Sequence, residues 1–290
     1  MYPLGTGSVR ARFVQLRSGV SVRVAECGPP DGKPILCVPG WGGSIYGYRR
    51  NLPTLGAAGH RVVAVDMPGH GLSDKPLEAD RYTWSALITQ VGEIMDAVEM
   101  DTATLIGQSM AGHLVLSVAQ DKPARVSAVV AINATGLGSI SGIGIIQLMA
   151  RVLPALHLPI TTRRFMVKRI LSGIYGTRGT FTDRDVDEYW APSQFPEWGR
   201  VLVTLLRVAP WGCVAPGGFA GVSQPTLVLL GSSDPLVRVG SAAALQSRVP
   251  PRSTVVRVEG AGHLVNEEAP EPVNEAILAF LAESSAEGRA

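Results

Sequence analysis

The six residues Gly107-Gln108-Ser109-Met110-Ala111-Gly112 sit between the apolar run Ala103-Thr104-Leu105-Ile106 and a helix-like stretch. That placement sets Ser109 on a sharp strand-to-helix turn, which lifts a hydroxyl above the edge of a sheet. Small residues flank the serine because such a turn is strained and packs tightly on neighbouring backbone. The helix that follows presents unpaired N–H groups and the positive end of its dipole, both suited to a developing oxyanion. A pentapeptide alone is weak evidence, so the rest of the chain has to supply the sheet and the partners.

The sheet is readable. Apolar or alternating runs predict strands over 13–17, 20–25, 34–38, 61–66, 103–107, 128–132, 225–231 and 254–258. The first two form a hairpin turning near Ser18-Gly19. Helices are predicted over 46–57, 83–98, after Ser109, over 241–248 and over 271–281, with a fraying tail at 282–290. Such alternation argues for a mostly parallel sheet covered by helices on both faces. Between Gly136 and Gln224 the pattern changes. Helices over 145–153, 161–174, 183–190 and 197–208 follow one another with no strand between them, punctuated by six prolines from Pro154 to Pro216. A helical insertion over the carboxyl ends of the strands is the natural account, since ligands bind there in open α/β sheets.

The 290 residues are 46% hydrophobic and 17% charged, enough for a sizeable core, and the net charge of +2 gives no reason to invoke nucleic acid. Cys27, Cys37 and Cys213 lack metal-ligand spacing and are odd in number, which favours a reducing, cytoplasmic setting over a disulfide framework. The first twelve residues lack an apolar secretory core, and no stretch is long and apolar enough to span a membrane. The sequon at Asn133-Ala134-Thr135 closes a buried strand and reads as a chance match.

A nucleophilic serine needs a base, and the base needs an orienting acid. Of His60, His70, His113, His157 and His263, the last follows the final strand in Gly260-Ala261-Gly262-His263, where its loop emerges at the same sheet edge as Ser109. Asp234, in Gly231-Ser232-Ser233-Asp234-Pro235 just past the penultimate strand, is the candidate acid; alone it would read as a turn residue. The glycine-rich Pro39-Gly40-Trp41-Gly42-Gly43 follows the strand over 34–38. A tetrahedral intermediate needs two N–H donors, here assigned to the backbone of Trp41 and Met110, although Trp41 could simply pack against the insertion.

Taken with Asp66-Met67-Pro68-Gly69-His70-Gly71-Leu72-Ser73-Asp74, these motifs resemble the α/β-hydrolase fold over nearly the whole chain, in its capped serine esterase and C–C hydrolase branch. The resemblance implies an eight-stranded, mostly parallel sheet, a core domain over 1–135 and 225–290, and a helical cap over 136–224 inserted after strand 6. It also implies a Ser109–His263–Asp234 triad in the hydrolase order, with no cofactor or metal. The Asp66–Asp74 signature is a structural turn in which Gly69 and Gly71 supply unusual dihedrals and His70 packs. Two departures stand out: Pro39 replaces the family's usual histidine, and Ala111 its last elbow glycine.

Relatives that open epoxides or remove halides attack with an aspartate, so Ser109 points to acyl transfer. The implied substrate is a small-to-medium hydrophobic ester or lactone, on a monomer or homodimer. The alternatives are a meta-cleavage-product C–C hydrolase and, in another class, a slow hydrolase-fold ligand receptor. The cap's apolar residues, Ile140, Ile143, Ile145, Ile146, Leu148, Met149, Val152 and Leu153, then Phe165, Met166, Ile170, Leu171 and Ile174, are expected mostly as cap core or interface. Trp190, Trp198 and Trp211 are candidate pocket walls. The basic cluster Arg163, Arg164, Lys168 and Arg169 is either a solvated face or a carboxylate-binding group.

Overall fold

Short apolar runs become strands wherever both sheet faces can be covered. In the computed structural model, which describes residues 8–140, 142–152 and 163–287, they are β1 Arg10–Gln15, β2 Ser21–Cys27, β3 Lys33–Val38, β4 His60–Val65, β5 Ala103–Gln108, β6 Val126–Ile132, β7 Ser139–Ile140, β8 Thr226–Gly231, β9 Val237–Arg238 and β10 Ser253–Val258. Eight of them form one sheet in the order β1-β2-β4-β3-β5-β6-β8-β10, antiparallel at the β1 end and parallel from β4 onward. The eight-stranded, mostly parallel sheet expected from the sequence is therefore present.

The helices are α1 Leu52–Ala57, α2 Trp84–Ala97, α3 Met110–Asp121, α4 Ile143–Val152, α5 Arg164–Ile174, α6 Asp183–Trp190, α7 Trp198–Val208, α8 Ala242–Gln246, α9 Val265–Glu268 and α10 Pro270–Glu287. Their apolar stripes build a buried cluster on each face of the sheet. On one face α2 contributes Leu87, Val91, Ile94 and Met95; its start is fixed by the Thr83 hydroxyl accepting the Ala86 N–H. On the other, α10 contributes Val273, Ile277, Phe280 and Leu281. Among the described residues, no helix is long and apolar enough to cross a membrane.

Two local expectations fail for identifiable reasons. The helix expected over 46–57 is a 3-10 turn, Ile45–Tyr48, followed by the separate α1. Pro53 has no N–H to continue the ladder, and the Asn51 side chain is drawn off to Asn274 and the Asn266 carbonyl. The tail does not fray at 282: α10 runs to Glu287, its Ser284 and Ser285 hydroxyls bonding back to the Phe280 and Leu281 carbonyls. Not predicted at all was β7, which precedes the helices of the insertion and pairs antiparallel with β9; between those helices there is no strand among the described residues, as expected. Two residues carry too little pattern to reveal a strand. Leu153, Pro154, His157, Pro159 and the start of the helix expected over 161–174 lie outside the described residues, as does the Met149 side chain.

Candidate active site

In this strand order the chain passes from β3 to β4 on one side and reaches β5 on the other, so the sheet has its switch point between β3 and β5. Val38 pairs with Gly107 across that crevice. The loop after β3 and the turn after β5 therefore leave the sheet side by side. A Cβ on Gly40 would come within 3.0 Å of the Ser109 Cβ, so only glycine lets the loop lie on the elbow. Ser109 has φ 58° and ψ −120°, a left-handed conformation that a serine adopts at a cost. Its peptide is pinned: the N–H donates to the Ile132 carbonyl at 2.8 Å, and its own carbonyl accepts Gly112 N–H at 3.0 Å and Thr135 N–H at 3.1 Å. Gly107 and Gly112 face backbone or Ala134 with no room for a side chain, while Ala111 is fully buried and fits.

The other expected residues converge on this point. His263 Nε2 lies 2.9 Å from Ser109 Oγ, and His263 Nδ1 lies 2.9 Å from Asp234 Oδ2. Asp234 is held in turn, because its Oδ1 accepts the Leu236 and Val237 N–H groups at 2.7 and 3.0 Å. That leaves Oδ2 for the imidazole. The side chains of His263 and Asp234 are 7% and 3% exposed, so the pair is shielded from water. Met110 opens α3 and has no carbonyl one turn back to bond. Trp41 lines the cavity with Ser109 and is partly exposed, its indole N–H donating to the Leu202 carbonyl and its ring edge-on to Trp211.

Two residues of the site escaped the sequence reading. Asn133, read only as a chance sequon, is 1% exposed, with φ 41°. Its Nδ2 donates to the Gly262 and His263 carbonyls, both at 2.9 Å, and its Oδ1 accepts Gly231 N–H at 2.9 Å. One buried amide thus ties the ends of β6, β8 and β10 together. Gln108 Nε2 adds a second donor to the His263 carbonyl at 3.0 Å. The available signal was a buried polar residue directly after an apolar strand, which must find partners.

The Asp66–Asp74 stretch is the predicted turn. Gly69 and Gly71 have φ 85° and 48°, and a side chain on Gly71 would overlap the Asp66 carboxylate. Burial pushes the Asp66 carboxyl up, against the Ile45 and Leu72 N–H groups that favour its charge. His70 is buried, with Nδ1 on the Pro68 carbonyl.

Above Ser109 lies a cavity of about 340 Å³. Its walls include Ile143 and Ile146 of α4, Ile170 and Leu171 of α5, and Trp198 and Trp211; Trp190 is not among them. Among the described residues, no lysine or arginine lines it. Arg164 and Lys168 point instead at α6, to Asp187 and Asp183. Ile145, Leu148, Val152 and Phe165, expected as cap core or interface, are exposed on the outer faces of α4 and α5. The lining also includes a carboxylate, Glu267, which meets Arg49 and the Tyr189 hydroxyl, and Arg49 Nη2 also bonds Asp185 of α6 at 2.6 Å.

Burial works against the Arg49 charge, but Glu267 and Asp185 hold its proton affinity above the ordinary arginine value. Arg49→Met strands two carboxylates whose side chains are 1% and 4% exposed. We expect a stability loss of about 3–5 kcal/mol in urea unfolding. A loss below about 1 kcal/mol would show that the ion pairs add nothing to the join between α6 and the sheet side.

A family model for the alpha/beta hydrolase fold matches residues 33–270. The magnesium-chelatase 30 kDa subunit of Rhodobacter capsulatus is 30% identical, over 89% of this chain and 90% of its own. A haloalkane dehalogenase of Psychrobacter cryohalolentis is 27% identical, over 91% and 88%. Among solved structures, a meta-cleavage product hydrolase from Pseudomonas fluorescens superposes with a TM-score of 0.79 at 21% identity, covering 94% of this chain and 98% of that one. With its sheet order, its helices on both faces and a match over most of its length, the chain is a hydrolase of the alpha/beta hydrolase fold family.

Proposed function

We propose that the chain hydrolyses small-to-medium hydrophobic carboxylic esters or lactones through an acyl-enzyme on Ser109. The observation that carries the reading is the pair of 2.9 Å hydrogen bonds, Ser109 to His263 to Asp234, at the floor of a cavity with no lysine or arginine among its described lining residues. His263 Nε2 takes the Ser109 proton as Oγ attacks the ester carbonyl. The oxyanion is received by the N–H groups of Met110 and Trp41. Collapse expels the alcohol, which takes the proton from Nε2. A water then gives its proton to His263, attacks the acyl carbon and releases Ser109 and the acid. Asp234 keeps Nδ1 protonated and steadies the imidazolium throughout.

In this reading residues 136–224 form a cap over a core of 1–135 and 225–290, and the cap sets specificity. An apolar wall favours an uncharged acyl chain. A dienoate would need a partner for its carboxylate, and Arg163, Arg164, Lys168 and Arg169 are all outside the lining. A serine at the elbow also sets the chain apart from aspartate-dependent dehalogenation. The three unpaired cysteines fit a cytoplasmic enzyme.

The test is a series of p-nitrophenyl esters from acetate to decanoate. Each methylene that enters the cavity should raise kcat/KM about fourfold, from about 0.8 kcal/mol of burial, until the space is full. Rapid consumption of a coloured dienoate with no ester turnover would replace this reading with C–C hydrolysis. A single slow turnover would replace it with a receptor.

A further inference from the structure

Glu268 takes no part in the reaction proposed above, yet it is built into the support of the base. Its Oε2 accepts N–H from Gly262 at 2.9 Å and Gly176 at 2.8 Å, and its Oε1 accepts from Leu264 at 3.1 Å. The amide between them, that of His263, donates to the Ile174 carbonyl at 2.8 Å. Three consecutive amides around the imidazole are therefore all fixed, two by one carboxylate and one by the last residue of α5.

The connector that follows α5 is laced to the same loop. Thr177 and Arg178 N–H groups reach the Gly260 carbonyl at 2.8 and 3.1 Å. Gly176 and Gly262 stand back to back. A methyl on Gly176 would overlap the Gly260 oxygen and the Gly262 nitrogen; one on Gly262 would overlap the Gly176 nitrogen and the Ile174 oxygen. Gly179 closes over the Glu268 side chain, which is 6% exposed. The helix that ends at Ile174 also walls the cavity through Val167, Ile170 and Leu171.

We propose that Glu268 is a positioning residue which, with connector 174–178, locks the His263 loop, so that the helical insertion aims the base as well as roofing the cavity. This rests on the Ser109–His263 reading. Glutamate suits the place because an ionised carboxylate offers only acceptors to three converging N–H donors. Glutamine would turn an NH₂ group toward at least one of them.

The test compares Glu268→Gln and Gly176→Ala with wild type on the best ester of the series. Neither substitution touches Ser109 or the cavity wall. Misplacing a reacting group by about 1 Å costs on the order of 10² in rate, so kcat should fall about 100-fold with KM within about threefold. Fluorophosphonate labelling of Ser109 should slow in parallel while far-UV circular dichroism is unchanged. A folded Glu268→Gln enzyme with wild-type kcat, or one changed only in KM, overturns the proposal. If the variants do not fold, amide exchange in the wild type decides: Gly262, His263 and Leu264 should be protected like the central strands, and rapid exchange refutes the lock. Absence of labelling and of ester turnover in the wild type would instead defeat the serine-hydrolase reading, and the exchange measurement would still judge Glu268.

Discussion

On the proposed reading, Ser109→Ala should lower ester turnover by on the order of 10⁴–10⁶ and abolish fluorophosphonate labelling. The size follows from the geometry. Ser109 Oγ is the atom 2.9 Å from His263 Nε2, and no second hydroxyl is hydrogen-bonded to that nitrogen among the described residues. His263→Ala should cost a similar factor, and the double variant little more than either single, because the residues act as one unit. Asp234→Asn should cost on the order of 10⁴ by favouring the wrong tautomer. Stability runs the other way. A serine at φ 58° stores about 1–3 kcal/mol of backbone strain that glycine does not incur. Ser109→Gly should therefore be as inactive as the alanine variant and melt later, by roughly 1 kcal/mol of stability after the greater chain entropy of glycine is subtracted. Residual turnover within tenfold of wild type in either variant would remove Ser109 from the chemistry.

The central strands were legible because each lies between covered faces and reads as an apolar run, and the elbow because its glycines are demanded by neighbouring backbone. The order of Ser109, Asp234 and His263 was legible for the same reason: parallel strands bring all their carboxyl ends to one edge. What the sequence hid was the second ring of support. Glu268 meets amides at Gly176 and Gly262, and Asn133 meets carbonyls 129 and 130 residues away. Partners that are largely backbone, and for Gly176 and both Asn133 carbonyls far away in the chain, leave no spacing to read. The basic cluster was misleading in its second option for a related reason. Its helix periodicity showed that Arg164 and Lys168 share a face, but not that the face meets the acidic start of α6 and points away from the cavity.

Mild acid should unfold this protein through two histidines that the reaction does not use. His113, on α3, is enclosed by the rings of Trp84 and Phe219 at 4.9 and 5.4 Å, and His70 is 1% exposed in its glycine turn. Burial pushes each from 6.5 down to about 4; the Pro210 and Pro68 carbonyls oppose the shift without cancelling it. Between those pH values the unfolded chain binds two protons that the folded chain refuses. Stability is therefore fully present above about pH 6.5 and is lost as pH falls toward 4, by about 3 kcal/mol for each histidine. Against the 5–15 kcal/mol that holds a typical domain, that is a large part of the whole.

Asp66, Glu267 and Glu268 act in the opposite sense, since burial raises their carboxyls and the folded state takes up their protons first. Separating the contributions requires variants that keep the hydrogen bonds without the titration. In His70→Asn the amide nitrogen can stand in for Nδ1 toward Pro68, and in His113→Gln for the donor to Pro210. Each should lower stability modestly at pH 7, yet the double variant should lose most of the slope between pH 6.5 and 4 in urea midpoints. A double variant whose midpoint falls with pH as steeply as the wild type would place the acid sensitivity elsewhere, with the carboxylates Asp183 and Asp185, lowered by their partners, next in line below about pH 4.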